Sequence, residues 1–298
     1  MKIRAVILAG GTGARLSILT ARRTKPAIPF AGKYRLIDFP LSNCVNSRIF
    51  DVIVITQYRP HSLINHIKSG NPWDLNREFS GGIRILTPYT AKSTGWFIGT
   101  ADAIRQNIQF ILSDDPDLLL ILSGDQVYFM DYQKMIDFHL EKNADVTIGA
   151  IQVPLTEASR FGVLTVDQQK RVTSFTEKPI NPSSSLVNMG IYLFNSRELD
   201  AALWMDELQQ DSSHDFGKDV LPTLLNGSTR IFAYPHSGYW IDVGTIQSYW
   251  QAHMDILHPI TMHNLYNPDW IIHTRADEKP PAFRSEERRV GKECRSRW

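Results

Sequence analysis

The chain has 298 residues, 43% of them hydrophobic and 21% charged, with 32 Lys plus Arg against 31 Asp plus Glu. That composition suits an ordinary globular protein with a sizeable core, in one large or two modest domains. The balanced charge argues against a nucleic-acid or membrane surface, no apolar run reaches the roughly 18 residues that span a bilayer, and two cysteines, Cys44 and Cys294, make no disulfide framework.

Met1-Lys2-Ile3-Arg4 leads straight into an apolar segment with no secretory signal, so a cytoplasmic location is expected. A strand predicted over residues 4–9 opens into Leu8-Ala9-Gly10-Gly11-Thr12-Gly13-Ala14-Arg15-Leu16, with Lys25-Pro26-Ala27 following. Glycines let backbone N–H groups approach a phosphate, and Arg15 and Lys25 add the charge to hold several. A dinucleotide fingerprint would need glycine where Leu16 stands, and a Walker A loop would need Gly-Lys-Ser/Thr. The loop therefore reads as a nucleoside triphosphate cradle of another type, against the plainer alternative of a glycine-rich turn.

Further along, strands are expected at 52–56, 83–86, 118–122 and 146–151, and helices at 61–69, 99–112 and 131–142, with Asp131 as N-cap. This alternation predicts an α/β fold: a doubly wound, mostly parallel, Rossmann-like sheet with helices on both faces. Past Pro154 the pattern changes to short strands at 162–166, 172–177, 186–194 and 231–234, with 167–170 as a hairpin connection. This half reads as an insertion packed against the sheet that builds the acceptor side of a pocket. Helices return at 216–225 and 245–257.

Residues 284–298 break with the preceding text and carry six basic and three acidic residues. They resemble the in-frame translation of a sequencing adapter and read as an assembly artefact, the alternative being a solvated basic tail.

Four polar clusters stand out. Ser123-Gly124-Asp125 follows a continuous apolar strand, where the carboxyl ends of parallel strands face the ligand crevice. Asp125 suits Mg²⁺, which takes one or two carboxylates plus phosphate oxygens; a helix-capping role is the alternative. Asp242, in Trp240-Ile241-Asp242-Val243-Gly244-Thr245, sits at a second strand-to-helix junction, although Thr245 could cap that helix equally well. Glu177-Lys178-Pro179 closes a strand with an acid–base pair, either a sugar-phosphate contact or a solvated surface pair. In Ser213-His214-Asp215-Phe216-Gly217-Lys218-Asp219, His214 reads as a hydrogen-bonding residue rather than a general base.

Taken together, these motifs amount to a resemblance. Gly10–Leu16 with Lys25-Pro26 looks like the signature of sugar-phosphate nucleotidyltransferases. The text from Lys25 to Ser47 is similar to the glucose-1-phosphate adenylyltransferase (ADP-glucose pyrophosphorylase) family of bacterial glycogen synthesis. Gly99-Thr-Ala-Asp-Ala103, Ser123-Gly-Asp125, Phe161-Gly-Val163, Thr176-Glu-Lys-Pro179, Asn188-Met-Gly-Ile-Tyr192, the Ser213–Asp219 cluster and Trp240–Thr245 follow in the family's order.

The resemblance implies Mg²⁺-dependent adenylyl transfer from ATP to glucose 1-phosphate, without nucleic-acid or membrane partners. By similarity, Arg15, Lys25 and Asp125 are catalytic, and Leu8, Ala9, Gly10, Gly11, Gly13, Gly99 and Gly124 bind the nucleotide. Phe97, Gly162, Glu177, Lys178, Asn188, Asp215 and Trp240 would take glucose 1-phosphate, and Asp125 and Asp242 the metal. Phe97, Ile98 and Ile241 stand where the family favours a tyrosine and two basic residues, removing one hydroxyl and two basic groups, and Asn188 replaces a frequent serine but can still hydrogen-bond a sugar hydroxyl. Residues 1–258 are read as the catalytic domain and 259–283 as a linker toward a left-handed β-helix domain, absent here, that helps build a homotetramer and an effector site. Arg22, Arg23 and Arg35 match a basic region the family uses for effectors.

Overall fold

The computed structural model describes residues 1–11, 13–77, 80–88, 96–259 and 265–276. Thr12 of the glycine loop, residues 260–264 and 277–283 of the expected linker, and the 284–298 tail lie outside the described residues.

Thirteen strands are described: β1 (Ile3–Leu8), β2 (Pro29–Phe30), β3 (Tyr34–Arg35), β4 (Asp51–Ile55), β5 (Gly82–Leu86), β6 (Leu118–Ser123), β7 (Gln126–Tyr128), β8 (Val146–Gln152), β9 (Gly162–Val166), β10 (Val172–Glu177), β11 (Leu186–Asn195), β12 (Ile231–His236) and β13 (Trp240–Asp242). Nine of them form one sheet in the order β10-β9-β11-β6-β1-β4-β5, with β8 also paired to β11, and β12 to β8. Strands β6, β1, β4 and β5 run parallel, and β11 runs against β6, β8 and β9.

Alternation along each strand sends Val6, Ile53 and Ile121 into one core and Ala5, Ile7, Val52, Val54, Leu120 and Leu122 into the other, so both faces are covered. Chain order reverses at β1, which has β4 on one side and β6 on the other. In register, Leu8 faces Ile55 and Ser123. The segments leaving β1, β4 and β6 therefore emerge side by side at a topological switch point, where doubly wound sheets place their ligands.

The structure amends the sequence reading in several places. Strands β9 to β11 do not pack against the sheet as an insertion; they are hydrogen-bonded members of it. The helix expected over 99–112 divides into Thr100–Gln106 and Ile108–Ile111, because Asn107 takes a non-helical conformation and its side chain donates to the Ala103 carbonyl at 2.8 Å. The 216–225 segment begins with a π turn, Phe216–Val220, before Leu221–Leu225.

Two helices, Asp38–Asn46 and Ser196–Glu207, have no counterpart in the apolar pattern. In the first, every residue from Asp38 to Cys44 is buried, so no polar face marks the helical period. Two expected caps are present: Asp131 accepts from the Gln133 N–H, and Thr245 forms a capping box with Ser248. The described segment 265–276 packs on the body, with Trp270 Nε1 donating to Asn43 Oδ1 at 2.9 Å and His273 N to Ser42 Oγ at 2.9 Å.

Buried His139 is expected to make the fold sensitive to acid. It is 1% exposed, between Thr147 Oγ1 at 2.8 Å from Nδ1 and Asn195 Oδ1 at 3.3 Å from Nε2. Burial holds its pKa below the ordinary value, outweighing the opposing Asn195 bond and the Asp145 carboxylate. A depressed histidine contributes stability above its unfolded pKa of about 6.5 and loses it as pH falls toward the folded value. The urea midpoint is expected to drop between about pH 7.5 and pH 5.5, and His139→Gln should flatten that slope. An equally steep slope in the variant would remove His139 as its source.

Candidate active site

The carboxyl ends of β1, β4 and β6 open onto a cleft of about 700 Å³. Its lining includes Leu8, Gly10, Gly11 and Arg15 from the glycine loop and the segment after it, Phe97, Gly99, Gly162, Glu177, Lys178, Asn188, Asp215 and Trp240 from later in the chain, and both Asp125 and Asp242. Most of the residues singled out from the sequence thus share one cavity. Ala9, Gly13, Gly124 and Lys25 do not line it, and each has a distinct position.

Ala9 is buried, its carbonyl accepting from Thr24 Oγ1 at 2.9 Å and Thr56 Oγ1 at 3.3 Å. Gly13 has φ +62°, and a β-carbon there would meet Thr20 Cγ2 at 2.7 Å, so it shapes the turn. Gly124 packs the end of β6 against β1: a β-carbon there would lie 3.1 Å from the Leu8 carbonyl oxygen. At Gly11 the space is open, which leaves that backbone accessible to a ligand.

Lys25 is 7% exposed, in a short 3₁₀ turn formed by Lys25–Ala27. Its ammonium lies 2.5 Å from Asp125 Oδ2 and 3.4 Å from Asp242 Oδ1. The two aspartates meet because β13 pairs antiparallel with β7, setting Asp242 opposite Gln126, the residue after Asp125. Asp242 does not cap the following helix; Thr245 does.

Burial alone would lower the Lys25 pKa, but the Asp125 and Asp242 carboxylates outweigh it and raise it. Burial also opposes ionisation of Asp125, and here Lys25 and the Ser123 hydroxyl prevail, holding its pKa below the usual carboxylate value. Asp242 goes the other way, pushed up by burial and by Asp125 against the opposing pull of Lys25 and Arg15. Lys25 thus favours the ionised form of Asp125, while burial and the neighbouring Asp125 oppose ionisation of Asp242.

Two carboxylates converging on one cation make a donor set that fits Mg²⁺. Among the described residues no group of three or more His, Cys, Asp or Glu gathers that could hold a metal unaided. Mg²⁺ takes one or two carboxylates, its remaining ligands being phosphate oxygens and water.

Elsewhere on the lining, Glu177 Oε1 accepts from Lys178 Nζ at 2.7 Å, and Lys178 has φ +47°. Gly162 and Gly217 make room for this carboxylate: β-carbons there would lie 2.9 Å and 2.7 Å from Glu177 Oε2. Asp215 Oδ1 accepts from Gly217 N and Lys218 N, and its Oδ2 accepts from Thr100 Oγ1 at 3.1 Å. Asn188 donates to the Tyr192 hydroxyl at 2.7 Å, and Trp240 Nε1 donates to Gln126 Oε1 at 3.1 Å. His214 does not line the cleft; its Nδ1 is 2.7 Å from Asp206 Oδ2, as the hydrogen-bonding reading requires.

The sequence reading missed Gln57 and Tyr58, which line the cleft just past β4. Gln57 Oε1 accepts from Phe97 N at 2.9 Å. The strand-end argument that singled out Asp125 applies equally at the end of β4 and would have found them. Gly217 was missed as a lining residue because its role depends on Glu177, distant in sequence.

A family model described as nucleotidyl transferase matches residues 4–258. The chain is 51% identical to a glucose-1-phosphate adenylyltransferase of Pseudothermotoga lettingae over 282 residues, 95% of this chain and 67% of that protein. It is 52% identical to one of Thermotoga neapolitana over 288 residues, covering 96% and 68% respectively. A Clostridium botulinum protein of the same name is 51% identical over 290 residues, covering 97% and 75%. The matches thus span about two thirds to three quarters of these relatives' own lengths.

Proposed function

The chain belongs to the nucleotidyl transferase family, alongside the glucose-1-phosphate adenylyltransferases, and from that premise we propose that its cleft joins ATP and α-D-glucose 1-phosphate into ADP-glucose and pyrophosphate. The observation that carries this reading is the convergence of Asp125 and Asp242 on Lys25, at a cleft whose lining also includes a glycine-rich loop, Glu177 and Asp215. A phosphate oxygen of glucose 1-phosphate attacks the α-phosphorus of ATP in line. The bond from that phosphorus to the α–β bridging oxygen breaks, and pyrophosphate leaves. The nucleophile is already ionised near neutral pH, so positioning and charge neutralisation matter more than a general base.

In this reading Gly10, Gly11 and Arg15 hold the triphosphate, and Lys25 neutralises charge beside the reacting phosphoryl group. Asp125 and Asp242 would hold Mg²⁺, which when bound neutralises phosphate charge and favours departure of pyrophosphate. Glu177 takes sugar hydroxyls and Lys178 the phosphate of glucose 1-phosphate, in a pocket walled by Phe97, Gly162, Asn188, Asp215 and Trp240. Residues 1–258 form the catalytic domain, and the described segment 265–276 packs on its body. A cytoplasmic homotetramer serving glycogen synthesis is the setting proposed for the whole protein. No helix among the described residues is long and apolar enough to cross a membrane.

Pyrophosphate release from glucose 1-phosphate and Mg²⁺, measured with ATP, UTP and dTTP in turn, tests the assignment. ATP is expected to be preferred by at least about tenfold in kcat/KM, a difference of about 1.4 kcal/mol in transition-state binding. Preference for UTP or dTTP would replace the adenylyl donor, and no release with any of the three would point to a non-catalytic member of the lineage.

A further inference from the structure

Helix Ser196–Glu207 buries Leu199, Ala202 and Leu203 and, one step further along the same face, Asp206. Asp206 is 5% exposed, and a carboxylate at that depth is costly unless its oxygens are bonded. Both are: Oδ1 accepts from Ser212 Oγ at 2.6 Å, and Oδ2 pairs with His214 Nδ1 at 2.7 Å. Ser212 Oγ in turn accepts from the His214 backbone N–H at 2.9 Å.

These bonds fix His214 in a left-handed conformation, φ +53°, which a residue with a β-carbon adopts only when its surroundings enforce it. So placed, the His214 carbonyl accepts from Ala101 N at 2.8 Å and Asp102 N at 3.4 Å. Those N–H groups belong to the first turn of helix Thr100–Gln106, whose N-terminal residue Gly99 offers no side-chain cap. The next residue along is Asp215, bonded to Thr100 Oγ1. One buried carboxylate therefore anchors the turn that ties two stretches of the cleft wall together, Gly99–Thr100 and Asp215–Gly217. Asp206, Ser212 and His214 do not themselves line the cleft.

We infer that Asp206 is a positioning residue for the acceptor side of the cleft, acting through His214 on Asp215 and Thr100. The inference rests on the reading of that wall as the glucose 1-phosphate site. The anchored turn bonds to Thr100 and Ala101 through Asp215 and the His214 carbonyl and not to the Gly10–Gly11 loop, so its loss acts more strongly on glucose 1-phosphate than on ATP, whose expected contact at Gly99 adjoins the turn.

Initial rates of Asp206→Ala, taken against each substrate in turn, test this. KM for glucose 1-phosphate is expected to rise about tenfold or more, and KM for ATP by at least about threefold less than that, since small misplacement of a substrate-holding group is costly. Calorimetric titration of glucose 1-phosphate into the chain should show the same loss of affinity. Ser212→Ala keeps the carboxylate and one of its bonds; it should shift the same KM less, and it decides the matter should Asp206→Ala fail to fold. A folded variant with both KM values unchanged, or with both raised equally, overturns the inference. A wild-type chain that neither binds nor consumes glucose 1-phosphate overturns the reading of the wall itself, and the two failures are distinguishable.

Discussion

Lys25→Ala is expected to lower kcat by on the order of 10²–10³, the usual cost of removing one charged donor aimed at developing charge in a water-poor site. The ammonium is the shared partner of Asp125 and Asp242, so its loss acts twice. It removes positive charge beside the phosphoryl group, and it leaves two carboxylates facing each other without their cation. Asp125 is ionised because Lys25 and Ser123 overcome its burial; without Lys25 its pKa rises. A carboxylate with a raised pKa is protonated at higher pH, so the acid limb of the rate profile should move upward in pH. Lys25→Arg should rescue little, because a planar fork does not occupy the place of a compact ammonium. Asp125 and Asp242 retain about a quarter of their exposure, so the variant should remain folded. Steady-state rates across pH check this, and a variant within about threefold of wild type would take Lys25 out of the chemistry.

Gly99→Ala should damage both stability and acceptor binding. A β-carbon at Gly99 would lie 2.1 Å from the His214 carbonyl oxygen and 2.5 Å from that of Ser213. These are backbone atoms, so no side-chain rotation relieves the overlap. Either the 213–214 turn or the start of helix Thr100–Gln106 must move, and each carries part of the cleft wall. Overpacking of this kind costs about 1–3 kcal/mol, measurable as a lower urea midpoint at constant m-value. The same movement should raise KM for glucose 1-phosphate, because Asp215 and Thr100 bond to each other across the displaced contact. Wild-type stability together with wild-type KM would mean that the turn accommodates the methyl group freely.

Much of this molecule is legible in its residues. The run Leu118–Leu122 reads as a strand buried on both faces, and such strands belong to parallel sheets whose carboxyl ends face ligands. That reasoning puts Asp125 at the crevice end of the strand. The strands from Gly162 to Val166 and from Val172 to Glu177 carry local signals strong enough to be bounded correctly. The helix Asp38–Asn46 carried none, being buried nearly throughout, and neither did the pairing of β13 with β7. Whether Glu177 and Lys178 are a solvated pair or part of a site cannot be read from a strand end; the structure places both on the cleft lining, with Lys178 more than half exposed there.

The glycine loop, the strand-end aspartates and the order of motifs are local properties, and the sequence was enough to indicate phosphate chemistry and a doubly wound sheet. Convergence is not local. Lys25, Asp125 and Asp242 are separated by a hundred residues or more at each step, and their meeting depends on antiparallel pairing between two three-residue strands. Asp206 looks like any polar residue near a helix end until the packed helix buries it and turns it toward His214. Residue type determines which charges and turns are available. Burial and register determine which of them face each other, because only the folded chain removes water from between groups so far apart in sequence.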